Sequence, residues 1–587
     1  MKHLIYLVLF VLFPVIANST TYYVKESGAG NQSGTSWANA SDDLQAMINK
    51  AQPGDAVFVA AGDYYPDKPS NHLHGSIDPY NRNNAFSLKK DVKVYGSFPA
   101  DANDTEHSTI DSRFPDGWVL TTYLIGNPKR SNDWSDFVYH VVISAGDAGS
   151  ALMDGFVIAN GNADGSDKDE ITVNGFAINN AMGAGMYNAS SSPTLFRTIF
   201  IYNEAKYGGG IYNNNSAPTI ESSSFSDNSV TYVGGGIYNF NSSPIIKNVD
   251  IIKNIAKTDG GGINNRTNSS PVLTNVTIKE NKAHTGGGMY SSSQSAPELK
   301  YVDFRDNMAS YGGAVYNYYA GKVSFYNVTV IGNVANEGSG GGISNRNTDP
   351  VLLNVLIVDN IAAISGGGIY NYSGSPMLVN VTMSKNNAAA GYGYGGAMKN
   401  DWGSRPKIYN SILWGNIGYL PGIYSENSSS VTYNHSLIEG SSNNEGGSID
   451  GSTNPLFVGV SDYSLQRNSP CIDKGDNSLY TNNGGNINSD TDLIRNSRLS
   501  GASIDMGAYE FQGFGTSISE LKILPDIIGL EGKIQIKSVV SSEVSVFTLE
   551  GKQVYSCIMN SETEIVSVPQ GIYIVSLNGV SRKAIVK

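Results

Sequence analysis

The sequence predicts an all-β chain: a right-handed single-stranded parallel β-helix with an N-terminal helical cap, followed by a small antiparallel β-sandwich. Two phrases running in step predict the β-helix. Glycine-rich triplets, clearest in the G-G-G-I-Y-N of residues 208–213 and 234–239, recur with their third position at 185, 210, 236, 262, 288, 314, 342, 368 and 397, in steps of 25, 26, 26, 26, 26, 28, 26 and 29. An apolar-x-x-Asn phrase keeps the same period, at Phe200/Asn203, Phe225/Asn228, Ile251/Asn254, Ile278/Asn281, Phe304/Asn307, Val330/Asn333, Ile357/Asn360, Met383/Asn386 and Leu413/Asn416. A fixed period of this size marks a solenoid in which each unit is one rung. The sandwich is predicted by a third observation. Beyond about residue 514 the triplets stop, and short β-rich runs alternate with hairpin turns.

Composition bounds the function classes. Gly is frequent at 66 of 587 residues, but it is periodic and mixed with Ile, Val, Phe and 35 Tyr, as in a folded array. The formal charge of −13 argues against nucleic acid as a partner, since phosphate binding needs clustered Lys and Arg. Two cysteines far apart, Cys471 and Cys557, make no disulfide framework, and the seven His show no metal-ligand spacing, so no metal or cofactor is expected.

The domains follow in order. Residues 1–19 read as a secretory signal peptide: Lys2 and His3, an apolar run, then small residues at 17–19. Residues 20–513 form the β-helix. Its first part, 20–65, is the N-terminal cap. There Leu44, Met47, Ile48 and Ala51 make the stripe of one amphipathic helix, with Ser41 as N-cap and Asp42 and Asp43 in the first turn. Residues 66–180 are irregular coils and insertions, in which His72, His74, Asp78, His107, Asp111, Arg113, Trp118, Trp134 and Asp136 either gather as a site or are ordinary polar loops. Regular coils of 26 residues occupy 181–416, and a closing segment occupies 417–513. Residues 514–587 are the sandwich, with its first expected strand at 521–524.

Each regular rung should hold three extended pieces, in one copy 209–212, 218–222 and 224–225, separated by Asn, Ser and Gly turns. Nine coils stacked at about 4.8 Å would make a rod of roughly 40 Å. The glycines supply positive φ and close approach between coils. Ile211, Ile237, Ile263, Met289, Val315, Ile343 and Ile369 stack inside, and the Asn of the second phrase form a ladder at a turn. Tyr187, Tyr212, Tyr238, Tyr290, Tyr316 and Tyr370 follow the aliphatic position and by alternation face outward. They are candidate ligand-binding residues, a platform for the apolar faces of sugar rings; the bland alternative is rings that stack on one another and stiffen the sheet.

Three resemblances sit on these residues. The repeated triplet and apolar-x-x-Asn phrases resemble the repeats of polymorphic outer-membrane proteins and, more broadly, pectin-lyase-like β-helices, which implies either a surface adhesin or a polysaccharide-active enzyme. Ser469-Pro-Cys-Ile-Asp-Lys-Gly-Asp476, with Ile504-Asp-Met-Gly-Ala-Tyr-Glu510, looks like the closing segment of choice-of-anchor Q proteins; the Asp-Gly-Arg-type stretch of that family departs here to Asp492-Leu-Ile-Arg-Asn-Ser-Arg498. The tail resembles the type A C-terminal sorting domain of the type IX secretion system of Bacteroidetes-like bacteria, through residues 546–554, 569–575 and 583–587. That resemblance implies the type IX machinery as a partner of 514–587 and a location outside the cell, at the outer-membrane surface or released after removal of the domain.

Two functions fit. One is a surface-displayed binding or adhesion rod contacting polysaccharide or a host or neighbouring cell surface. The other is a polysaccharide lyase or glycoside hydrolase, which needs a base beside a cation. Charges that break the repeat are Arg266, Arg305, Asp306, Arg346, Asp349, Lys399, Asp401 and Arg405; Lys399, Asp401 and Arg405 are the densest group and the catalytic candidates, against the reading that they form a solvated turn. Asp490 and Asp492 could touch Ca²⁺, but two acids fall short of a ligand loop.

Overall fold

The computed structural model describes residues 19–68, 78, 80–113, 119–389, 392–442, 446–513, 526–530, 532–537, 543–548, 552–559, 563–577 and 580–586. The expected signal peptide up to residue 18, His72, His74, Trp118 and the strand at 521–524 lie outside these residues. The chain divides into two compact units, 1–113 with 120–511 and 114–119 with 512–587. No described helix is long and apolar enough to cross a membrane.

The first unit is a right-handed parallel β-helix of three sheets. Sheet I has 20 strands, sheet II nine and sheet III twelve among the described residues. One coil runs from Thr194–Ile201 in sheet I to Glu204–Tyr207 in sheet II and Ile211–Asn214 in sheet III. Successive coils keep register, so Ile211 pairs with Ile237 and Phe200 with Phe225. Two of the three pieces expected in each rung are halves of one sheet I strand, Thr219–Glu221 and Ser224–Ser226, bent at Ser222, whose φ is 51°. The true third strand, Ser229–Val233, lies past the turn Asn, outside the three expected pieces.

Winding begins at once. Thr21–Val24 pairs in parallel with Ala56–Ala60, which pairs with Lys93–Phe98, so residues 20–65 supply sheet I strands as well as a cap. The helix Leu44–Lys50 forms as expected, with Leu44, Met47 and Ile48 buried. Its N-cap is Asp43, not Ser41: the Asp43 carboxylate accepts from Ala46 N–H at 2.7 Å, while Ser41 Oγ accepts from Asp43 N–H. Coiling also outlasts the expected end at 416, through Lys407–Tyr409 and Thr432–Asn434 to Leu437–Ile438.

The interior is built from repeated columns. Met186, Ile211, Ile237, Ile263, Met289, Val315, Ile343, Ile369 and Met398 are fully buried on sheet III, and Phe200, Phe225, Ile251, Ile278, Phe304, Val330, Ile357, Met383 and Leu413 on sheet I. The glycine triplet is a steric device. Gly208 has φ 62°, and a Cβ on Gly210 would meet the Gly236 carbonyl of the next coil at 2.5 Å.

Two asparagine ladders link the coils. In the expected one, Asn203 Nδ2 donates to Asn228 Oδ1 at 3.0 Å, Asn228 to Asn254 at 2.9 Å, and the series continues to Asn416. The second uses the Asn that ends G-G-G-I-Y-N. Asn188, Asn213, Asn239 and Asn265 are joined at 2.8–2.9 Å, and Asn317, Asn345, Asn371 and Asn400 likewise. Each buried amide bonds its own copy in the next coil, so the ladders punish any slip in register.

After Ile438 the chain turns back as a strap along the outer face of sheet I. Beneath the strap, strands read apolar on both faces: Val351–Val358 is V-L-L-N-V-L-I-V, whereas the uncovered Val272–Lys279 alternates as V-L-T-N-V-T-I-K. Leu356, Val358 and Tyr463 form one contact cluster, and Leu353, Val379, Tyr480 and Ile504 another. The strap is pinned by Arg498, fully buried, whose Nη2 donates to the Asp505 and Gly507 carbonyls at 3.0 Å and lies 3.5 Å from Glu510. Burial pushes the Asp505 and Glu510 carboxyls up, to about 6 and about 7, against the opposing pull of Arg498. The two motifs and the departed 492–498 stretch between them therefore meet in one buried cluster.

The second unit holds two antiparallel sheets, of three strands (Asp526–Leu530, Lys533–Lys537, Thr563–Ser567) and four (Glu543–Thr548, Gln553–Ile558, Gly571–Leu577, Val580–Val586). Ile534, Ile536 and Val566 of the first share a core with Val544, Val546 and Val575 of the second.

Candidate functional site

Alternation along each sheet III strand puts the phrase Ile and Asn inside and the residues between and after them outside. The outer face therefore carries two columns. The first runs Tyr187, Tyr212, Tyr238, Asn264, Tyr290, Tyr316, Ser344, Tyr370, Lys399, Tyr424. The second contains Phe240, Arg266, Ser292, Tyr318, Arg346, Tyr372 and Asp401.

The expectation of an exposed tyrosine ladder needs correction. Tyr187, Tyr212, Tyr238 and Tyr290 point away from the barrel interior yet are buried, Tyr212 to 5% exposure. The hairpin Glu170–Val173/Phe176–Asn179 contributes Val173 and Ile178 to the cluster that holds Tyr187, Tyr212 and Tyr238. The rings also pack on one another: Tyr187 and Tyr212 meet edge-on at 4.9 Å, and Tyr212 and Tyr238 meet at a tilt at 5.1 Å. Burial pushes the Tyr187 and Tyr290 hydroxyls up to about 12, and those of Tyr212 and Tyr370 higher. Only Tyr316 and Tyr370 of the six are half-buried.

The accessible part of the face lies further along and depends on the second column. Arg346 is exposed, and its guanidinium lies 5.6 Å from the Tyr318 ring and 4.9 Å from the Tyr372 ring in the coils on either side. Trp402, 58% exposed, packs at 5.7 Å against Tyr372, and Tyr319, 51% exposed, stands edge-on to Tyr318 at 4.8 Å. Four aromatic rings and a held cation thus form one surface drawn from four successive coils. The signal was present as Y-N-Y at 316–318 and 370–372, which places a tyrosine on both outward positions of one strand.

The catalytic candidates separate. Lys399 is buried, ion-paired to Glu426, with its Nζ 4.2 Å from the Tyr424 ring and 5.5 Å from the Tyr394 ring. Asp401, also buried, accepts from Trp402 N–H at 2.8 Å, from Asn427 Nδ2 at 2.6 Å and from Tyr370 O–H at 3.4 Å. Arg405 is exposed beyond the following turn, its N–H donating to Ser375 Oγ at 2.9 Å. The solvated-turn reading thus fits Arg405 alone. Lys399 and Asp401 are neighbours on one face, but each is already engaged, Lys399 by Glu426 and Asp401 by Trp402, Asn427 and Tyr370.

The other charged residues serve the fold. Arg113 and Arg197 both bind the buried Asp154, at 2.9 Å and 2.7 Å. Asp136 pairs with Lys129, Arg266 with Asp259 and Arg305 with Asp303. Asp111, Trp134 and Asp78 are at the surface, and His107 Nδ1 accepts from Asn103 N–H. Asp349 accepts from Ser375 N–H, and Asp306 is exposed. Asp492 accepts from Ile494, Asn496 and Glu510 N–H, and Asp490 from Tyr480 O–H and Asn486 N–H.

Comparison with known families matches residues 154–334 to the right-handed β-helix region and residues 518–586 to a domain of unknown function, DUF6383. Comparison with curated proteins finds no match. Among solved structures, the chain is similar to a family 28 exopolygalacturonase from Yersinia enterocolitica, at 13% identity over 71% of this chain and 78% of that one, with a TM-score of 0.20. That likeness carries nothing about chemistry or substrate.

Proposed function

We propose that the protein is a secreted, cell-surface-displayed binding rod that holds a polysaccharide or similar surface polymer along the outer face of sheet III. The observation that carries this reading is the exposed Arg346 held between the half-buried rings of Tyr318 and Tyr372, with the exposed Trp402 beside them. Sugar rings present apolar C–H faces to aromatic rings, and a guanidinium fixed between two rings donates hydrogen bonds at low entropy cost. Stacked coils place such groups at intervals of about 4.8 Å, a spacing suited to an extended chain rather than a compact ligand. We assign export to residues 514–587, as a sorting domain handled by type IX secretion machinery, on the strength of the motifs at 546–554, 569–575 and 583–587; the repeats and the 469–510 motifs support a bacterial surface location.

The test is binding of the full chain to an array of plant, bacterial and host polysaccharides, followed by incubation and assay for unsaturated or newly reducing ends. Retention on one polymer class without product release is expected. Release of product would overturn the binding-only reading in favour of a lyase or hydrolase.

A further inference from the structure

We propose that the open stretch of sheet I, on a different face from the polymer site, binds an extended acidic polypeptide segment that continues the path of the strap. In the coils between 245 and 413 the sheet I segment is bent at one residue of positive φ, and in register these are Asn248, Asn275, Tyr301, Asn327, Asn354, Asn380 and Asn410. Asparagine tolerates this conformation, but so do Arg197, Ser222 and Tyr301 in the same column, so the backbone alone does not demand it. What the amides do is visible under the strap. Asn380 Nδ2 donates to the Asp505 and Gly507 carbonyls at 2.8 and 3.1 Å, Asn410 to the Asp476 carbonyl at 3.0 Å, and Asn327 to the Thr491 carbonyl at 3.2 Å. The column is a reader of peptide carbonyls.

The strap stops before the column does. Asn327, Asn354, Asn380 and Asn410 are buried beneath it, whereas Asn275 and Asn248 are exposed. There Asn275 Nδ2 bonds only sideways within the column, to Asn248 Oδ1 at 3.1 Å. The tip of the strap marks the junction: Arg495 lies 4.6 Å over the Tyr301 ring with its Nη2 3.3 Å from Asn275 Oδ1. Beside it opens a cleft of about 460 Å³, floored by Asn248, Asn275, Thr277 and Tyr301 and walled by Leu493 and Arg495. The groove is thus continuous with an interface in which the same side chains already hold polypeptide.

Charge selects the occupant. Lys247 and Lys300 are exposed on one side of the column, with Glu298 outboard of Lys300, and Arg495 overhangs it, while Asp303 at the other edge is engaged by Arg305 at 3.1 Å and by Thr329. Asp250 is the exposed acid on that far edge. An extended segment lying on the column would pass beside both lysines, which stand two coils apart, so acidic side chains fit there.

The experiment pans a phage-displayed random dodecapeptide library on the immobilised full chain, then titrates the enriched peptides, made synthetically. Acidic peptides are expected to enrich, to bind more weakly as salt rises, and to lose at least tenfold in affinity to the Asn248→Gly/Asn275→Gly variant. Glycine keeps the positive φ, so the fold is retained, and an unchanged denaturation midpoint confirms it. Lys247→Glu/Lys300→Glu should abolish binding and leave polysaccharide retention intact. No enrichment, peptides that ignore the glycine substitutions, or oligosaccharides rather than peptides displaced by those substitutions would each overturn the proposal.

Discussion

Replacing Asn254 by Ala removes the centre of the turn ladder while leaving the backbone relaxed, since Asn254 does not have positive φ. The fully buried amide has five polar partners, and its two N–H hydrogens are shared among three acceptors, so it makes the equivalent of four hydrogen bonds. Its Oδ1 accepts from Asn228 N–H (3.1 Å) and Nδ2 (2.9 Å); its Nδ2 donates to the Phe225 carbonyl (2.9 Å), the Ile252 carbonyl (3.2 Å) and Asn281 Oδ1 (3.0 Å). At about 1 kcal/mol net for each bond, and more where a buried partner is stranded, the loss comes to about 4–6 kcal/mol. In a solenoid that loss stays local, because each coil contacts only its neighbours. Guanidinium unfolding should therefore show a lowered midpoint, and hydrogen exchange should speed up in peptides covering 225–285 before the rest of the array. Asn336→Ala, at an exposed Asn one residue past a sheet II strand, is the control and should change neither. A midpoint for Asn254→Ala within error of the control, or exchange that accelerates uniformly, would refute the reasoning that the ladder holds the coils in register.

Two further outcomes follow from particular groups. His140 is fully buried and its imidazole is pushed down to about 4, mainly by desolvation, so between pH 6.5 and 4 the unfolded chain takes up a proton that the folded chain refuses; stability falls on acidification across that window, by up to about 3 kcal/mol, and His140→Asn should remove that part when pH-dependent urea midpoints of the two proteins are compared. Equal pH dependence in both would show that the site does not hold a neutral imidazole. Deleting residues 514–587 should leave the β-helix unit in the periplasm of its native host, by cell fractionation; surface display undiminished by the deletion would remove the sorting role.

The sequence disclosed what is periodic and hid what is local. The two phrases fix the coil, because a solenoid demands the same inward Ile and the same turn Asn in every rung, and those residues fall where the period puts them. The Asn after each Tyr was just as periodic, but its use as a second internal ladder depends on strand alternation within a four-residue strand. Outward is not the same as exposed: alternation placed Tyr212 correctly on the outer face, while its burial comes from a hairpin at 170–179 that no repeat announces. The strap left a readable trace in Val351–Val358, apolar on both faces where its neighbours alternate. Lys399 and Asp401 looked like free charge because their partners, Glu426 and Asn427, lie in the following coil, 26 or 27 residues downstream.

The central claim is that the accessible aromatic row of sheet III, and not the buried tyrosine column, meets the ligand. The most direct measurement is the affinity of the full chain for the polysaccharide it retains, by isothermal titration, in Tyr372→Ala/Trp402→Ala and in Tyr212→Phe. Each stacked ring contributes about 0.5–1.5 kcal/mol beyond its buried area, so the double substitution should weaken binding by tenfold or more while Tyr212→Phe leaves it unchanged. Full affinity in Tyr372→Ala/Trp402→Ala would contradict the account.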